Sequence, residues 1–159
     1  MSNNYNINEN YYEIYTDGAS RGNPGISGIG FLIKKNNKII YKDGFIIGTS
    51  TNNFSEYFAL IVAIVYFKEN INLNEKFNLI IFSDSLLLIK QLKKEYKVKN
   101  FILKKCFNFL YDNIKNMDIK FEHILREKNI EADLLANKGI DEKKILPENF
   151  NNLFIELYK

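Results

Sequence analysis

The run TNNFSEYFALIVAIVYFKEN, residues 51–70, most constrains the fold of this chain. Its apolar residues recur at helical spacing and then crowd all round, the pattern of a helix covered on most sides. The stretch FALIVAIVYF inside it is about half the length a membrane span needs, so the helix is read as buried in a protein core. Asn53 or Ser55 is its expected N-cap. The flanking sequence says what covers it. Residues 11–19 alternate imperfectly, with Tyr12, Ile14 and Thr16, and read as a first strand. ISGIGFLIKK and KIIYKDGFIIG, separated by Asn36 and Asn37, read as a hairpin. KFNLIIFSDS fits a buried, central parallel strand. SLLLIKQLKKEY and NFILKKCFNFLYDNIK read as two helices joined by a basic link, and DIKFEHIL as a fifth strand. NIEADLLANKGI reads as a helix capped by Asn129 and closed near Gly139. The order β-β-β-α-β-α-α-β-α predicts an α/β fold, a mixed five-stranded sheet with helices on both faces.

The length of 159 residues suits one domain, and 46% apolar with 26% charged residues is the profile of a soluble globular protein. Residues 1–10 are polar and read as a flexible N-terminus, residues 11–140 as the domain and residues 141–159 as a C-terminal tail. In that tail Leu153, Phe154 and Leu157 form one face of a short helix expected to pack against the domain. The net charge of +3 is compatible with a nucleic-acid partner without being evidence for one. The single cysteine, Cys106, excludes an internal disulfide and suits a reducing, cytoplasmic setting, where it is expected in the core. The N-terminus has neither the basic nor the apolar region of a signal peptide, and a monomer without membrane contact is expected.

Four acids fall at the ends of elements: Asp17 late in the first strand, Glu56 in the first turn of the long helix, Asp84 at the end of the fourth strand, and Asp133 early in the last major helix. Each has an ordinary reading. Asp17 before Gly18 is a turn signal, Glu56 suits a helix N-terminus, Asp84 suits a cap, and Asp133 suits an exposed helix face. Yet each sits beside residues that look buried, and buried carboxylates gathered together repel one another. Divalent cations resolve that conflict, and two of them can stabilise the attacking and leaving oxygens of phosphodiester cleavage.

The pieces YTDGASRGNPG, TNNFSEYFAL, FSDSLLLIKQL and REKNIEADLLANKGI resemble, in this order, the motifs of the type 1 ribonuclease H family, in its compact form without a long basic insertion. The resemblance covers roughly residues 11–140. It implies a metal-dependent endoribonuclease that cuts the RNA strand of RNA/DNA hybrids, leaving a 5′-phosphate and a 3′-hydroxyl. It implies two Mg²⁺ ions per site, with Mn²⁺ as an alternative. Asp17, Glu56, Asp84 and Asp133 match the family's four catalytic, metal-binding acids. Asp17 would bridge the two ions, Asp84 and Asp133 would each complete one position, and Glu56 would help hold a water near the ribose 2′-OH. Asn23, Asn52 and Asn53 match minor-groove contacts, and Thr51 a contact to a DNA phosphate. Helix capping is the alternative role of Asn52 and Asn53.

The chain departs from the pattern at several places. Leu86 stands where the family often has a Gln that reaches the minor groove. The basic link is short, with Lys93, Lys94, Lys97 and Lys99 as partial replacements for the insertion or as a solvated face. Many members carry a His in a loop before the last acid, whereas His123 falls within a predicted strand and reads as structural. Arg126 lies nearer that place, as in members with Arg before the last acid, and is the candidate for substrate contact. Its alternative is pairing with Glu127 or Glu131.

Overall fold

The computed structural model describes residues 10–158. A hairpin pair opens the sheet: β1 (Asn10–Gly22), β2 (Gly25–Lys35) and β3 (Lys38–Ser50) are antiparallel neighbours. The turn between β2 and β3 is Asn36–Asn37, with φ of 49° and 69°. Asn tolerates this left-handed region better than other residues with a Cβ, and two such residues match the twist of a hairpin. The chain then forms α1 (Asn52–Asn70), β4 (Phe77–Ser83), α2 (Leu86–Leu92), α3 (Phe101–Ile114), β5 (Ile119–His123), one 3₁₀ turn at Arg126–Lys128, α4 (Ile130–Asp141) and α5 (Glu148–Tyr158). The sheet order is β3-β2-β1-β4-β5, with β4 parallel to both neighbours. This is the mixed five-stranded sheet expected from the sequence. The expected flexible N-terminus lies outside the described residues, apart from Asn10, which pairs with Phe77 in the β1–β4 ladder.

Two helices set the layers. α1 is buried from Phe54 through Ile64 and again at Phe67, between Ile14, Ile29, Phe31 and Ile33 of the sheet and the apolar sides of α3 and α5. α4 lies on the other face. There Gly28, Gly30 and Gly44 are cut back so far that a Cβ on any of them would overlap α4 backbone. Helix and strand therefore approach much more closely than side chains would allow.

The structure corrects three local expectations. The N-cap of α1 is Thr51, not Asn53 or Ser55: Thr51 is extended and its Oγ1 accepts the Phe54 N–H at 3.2 Å, while the Ser55 hydroxyl donates to the Asn52 carbonyl. α4 does not close at Gly139. It closes two residues further on, at Asp141, with Lys143 at φ 52° making the exit, while Gly139 is where α4 meets the Phe45 backbone. α2 stops at Leu92, short of the expected Tyr96, as the chain turns through a left-handed Lys94 and the Gln91 side chain donates to the Lys97 carbonyl.

The tail is ordered by the domain. After α4 the chain runs along β3, where Ile145 bridges Ile46 and the Ile46 N–H donates to the Lys144 carbonyl at 2.7 Å. It thereby reaches the α1 face. α5 buries Phe150 and Leu157 there, and sets Phe154 and Tyr158 against Phe54 with ring centroids 5.6 and 4.6 Å away. Cys106 is fully buried in the same core, as expected.

Candidate active site

The acids converge where the parallel strands end. β1 and β4 pair up to Thr16 and Ser83, and the next residues of the two strands are Asp17 and Asp84. Glu56 reaches the same place because Gly18 lies directly beneath the Ser55–Glu56 backbone, where any Cβ would collide. The Gly18 N–H donates to Glu56 Oε2 at 3.2 Å. Asp17, Glu56 and Asp84 each offer an oxygen within 4.8 Å of the others'. Asp133 is outside that trio, but near enough to Asp17 to raise the proton affinity of its carboxyl.

The ordinary readings of these acids are filled by other residues. Ser85, not Asp84, caps α2, its side chain accepting the Leu88 N–H at 3.2 Å. Asp17 lies inside β1, five residues before the strand ends. Glu56 is 6% exposed and Asp17 4%, so neither is a surface charge. Asp133 is half-buried, with Asn137 Nδ2 bonded to its carbonyl and reaching its carboxylate.

Burial, then the charges of Glu56 and Asp84, then Asp133, push the Asp17 carboxyl up to about 10 from an ordinary 3.8. Glu56 rises to about 8 from 4.5, through burial first and the Asp84 charge second; hydrogen bonds from Asp17 and the Gly18 N–H and the Arg126 charge oppose the rise. Too little positive charge lies beside Asp17 and Glu56 to offset their burial and favour their ionised forms. The donor set is all oxygen, crowded and partly dry. It fits a hard divalent cation such as Mg²⁺, which takes carboxylate oxygens and lowers their proton affinity.

The predicted substrate residues fall into two groups. Asn23, Thr51, Asn52 and Asn53 come together: Asn23 Oδ1 accepts the Asn52 N–H at 3.0 Å, across the loop that contains the cis Asn23–Pro24 bond. The side chains of Asn52 and Asn53 are exposed and leave the cap to Thr51, whose Oγ1 is thereby engaged. Arg126 is exposed in the 3₁₀ turn and lies near enough to Glu56 to favour its ionised form. The pairing of Arg126 with Glu131 is pre-empted, since Glu131 bonds Lys42 at 3.1 Å.

Two residues named in the sequence make contacts that it did not signal. His123 ends β5 as predicted, but it is exposed, and its Nε2 contacts the Asp84 carbonyl at 3.2 Å. Asn129, read as a helix cap, makes no side-chain cap bond; its Nδ2 donates to the Thr16 carbonyl at 2.9 Å. No local pattern signals a contact between residues 113 positions apart.

The model of the RNase H family matches residues 9–141. The chain is 33% identical over 134 residues to ribonuclease HI of Halobacterium salinarum, a match covering 80% of this chain and 63% of that protein. It is 30% identical over 151 residues to ribonuclease H of Chromobacterium violaceum, covering 84% of this chain and 97% of that one. The crystal structure of LC11-RNase H1 in complex with an RNA/DNA hybrid superposes with a TM-score of 0.79 at 36% identity, covering 82% of this chain and 97% of that one. The structure of the Halobacterium salinarum RNase H1 gives a TM-score of 0.76 at 30% identity, over 83% and 98%. With the strand order and the acid cluster already described, these matches identify the chain as a member of the ribonuclease H family.

Proposed function

We propose that this chain is an endoribonuclease that hydrolyses the RNA strand of RNA/DNA hybrids with Mg²⁺ as its metal. The observation that carries the reading is the convergence of Asp17, Glu56 and Asp84 from three separate elements on one sheet end, with Asp133 beside them. Asp17, Glu56, Asp84 and Asp133 would hold the metal, with Asp17 next to the other three. When bound, the metal supplies charge stabilisation at the scissile phosphate and a more acidic attacking water. Glu56 orients that water and meets the ribose 2′-OH. Water adds to phosphorus, the P–O3′ bond breaks, and the products carry a 5′-phosphate and a 3′-hydroxyl.

The chain's remaining residues position the hybrid. The Asn23–Asn52 contact joins the β1–β2 loop to the start of α1, so Asn23, Asn52 and Asn53 form one polar surface suited to a wide minor groove. Hydroxyl and base-edge contacts in that groove distinguish RNA from DNA. Arg126 offsets negative charge beside Glu56. The relatives named ribonuclease H and the neighbour crystallised with a hybrid support the same substrate for this chain.

The test is cleavage of a labelled hybrid with Mg²⁺ or Mn²⁺, with duplex DNA and single-stranded RNA as controls, for wild type and Asp17→Asn. Metal-dependent cutting of the RNA strand is expected. It should fall at least ~10³-fold in the variant, as when one member of a catalytic unit is lost. Tight hybrid binding without cutting by wild type would instead make the chain a binding module.

A further inference from the structure

The residue that sets the spacing of two of the acids is not an acid. Asn129 precedes the first residue of α4 and is 2% exposed. Its backbone carbonyl accepts the Asp133 N–H at 3.2 Å, so it fixes the first turn of α4 and the start of the Asp133 side chain. Its side-chain Nδ2 donates to the Thr16 carbonyl, which belongs to the peptide group joining Thr16 to Asp17. One residue therefore links the backbones of Asp17 and Asp133 through two hydrogen bonds.

The local sequence gives Asn129 no other use. Its φ of −118° and ψ of 28° differ from the extended backbone of the side-chain caps Thr51, Ser85 and Asn100, and it makes no cap bond. Its Oδ1 has no hydrogen-bond partner among the described residues. A buried amide with one arm unsatisfied is an unfavourable way to fill space, so the bond made by its other arm is what retains it. The chemistry of that bond also suits the site. A neutral amide donates to the strand without adding a charge next to four carboxylates. The Thr16 carbonyl stands at the last pair of the β1–β4 ladder, where the strand gives way to the acids. Gly30, paired with Asp17 across β1 and β2, brings the Ala132–Asp133 end of α4 down onto the sheet at the same level.

We propose that Asn129 is a positioning residue that holds Asp133 at metal-binding distance from Asp17, and that its loss weakens Mg²⁺ binding rather than hybrid binding. This rests on the reading of the four acids as metal ligands. The Asn129 link sets the backbones of Asp17 and Asp133 in place before a cation joins their carboxylates. Groups that orient metal ligands typically contribute ~10–100-fold to metal affinity. For a link acting through backbone the expected loss is about 10-fold.

The experiment compares wild type, Asn129→Ala and Asn129→Leu. Leu is near-isosteric and donates nothing, so it keeps the test open where Ala fails to fold. Mg²⁺ affinity is read by calorimetry without nucleic acid, hybrid affinity by fluorescence anisotropy in EDTA, and fold by thermal unfolding. Expected are about 10-fold weaker Mg²⁺ binding, hybrid affinity within about 2-fold of wild type, and cleavage that recovers as Mg²⁺ is raised. A folded variant with wild-type Mg²⁺ affinity overturns the proposal, even with a lower Tm, because that is the signature of a merely structural residue. Equal losses of Mg²⁺ and hybrid affinity overturn it as well. Absence of Mg²⁺ binding in the wild type, by contrast, removes the metal-site reading itself.

Discussion

The N-terminal parts of α1 and α4 both deliver an acid to Asp17; each rests its backbone on a strand glycine, Gly18 under Ser55–Glu56 and Gly30 under Ala132, and they differ in what is added to that contact. The α1 turn adds apolar mass. Phe54 is fully buried, stacked on Phe58 and met edge-on by Phe154 and Tyr158 of α5, with Thr51 as the cap. The α4 turn is nearly bare on its outer side, with Ile130 56% and Leu134 61% exposed. To its contact over Gly30 it adds the amide of Asn129. Apolar packing is non-directional and tolerates small shifts; a hydrogen bond and a backbone contact specify a distance. The α1 turn is thus expected to be robust in position and costly to empty. The α4 turn is expected to lose metal geometry as soon as it loses stability.

That contrast breaks most directly at Gly30→Ala. The added Cβ would overlap the Ala132 carbonyl oxygen, so α4 must lift at the level of Asp17. A loss of about 3 kcal/mol or more in urea unfolding is expected, the upper range for overpacking against backbone, together with weaker Mg²⁺ binding. Near-wild-type stability would show that α4 is not seated by this contact.

Phe154→Ala sharpens the other side. Phe154 is half-buried, so the expected loss is about 2 kcal/mol, below the ~3–5 of a fully buried Phe→Ala. Mg²⁺ affinity of the folded variant should not change. If it weakens along with stability, the α1 turn depends on fine placement just as α4 does.

The acids around which both turns are built also make stability depend on pH in the absence of divalent metal. Asp17 and Glu56 titrate at about 10 and about 8 in the folded chain, against 3.8 and 4.5 ordinarily. The folded state thus retains protons that the unfolded chain releases. Stability should be greatest below about pH 4 as far as these two groups are concerned, fall as pH rises through 8, and go on falling towards 10. Thermal unfolding in EDTA checks this, and Glu56→Gln should flatten the slope below pH 8. An unchanged slope in that variant would mean that Glu56 stays ionised in the fold.

Much of this was legible in the sequence because it is local. The Asn36–Asn37 turn, the two strands of its hairpin and the all-round apolar α1 depend on residues close in the chain, and each formed as read. The four acids were legible only jointly: each had a local alternative, and the resemblance of four ordered motifs singled them out. Two of the misreadings were places where a local signal served a distant contact. Gly139 looked like a helix stop and is a packing point against Phe45. Asn129 looked like a cap and is a tie to Thr16.

The sequence by itself determined which segments become strands and helices, and which four carboxylates stand at their ends, because backbone preference and apolar period act over a few residues. Tertiary structure alone decided that three of those carboxylates lie within 4.8 Å of one another and that Asp133 is tied to the strand of Asp17. It also decided that α5 seats on Phe54. Those outcomes depend on which surfaces meet when the sheet closes on α1 and α4, and a distance between residues remote in the chain exists only once the whole core has packed.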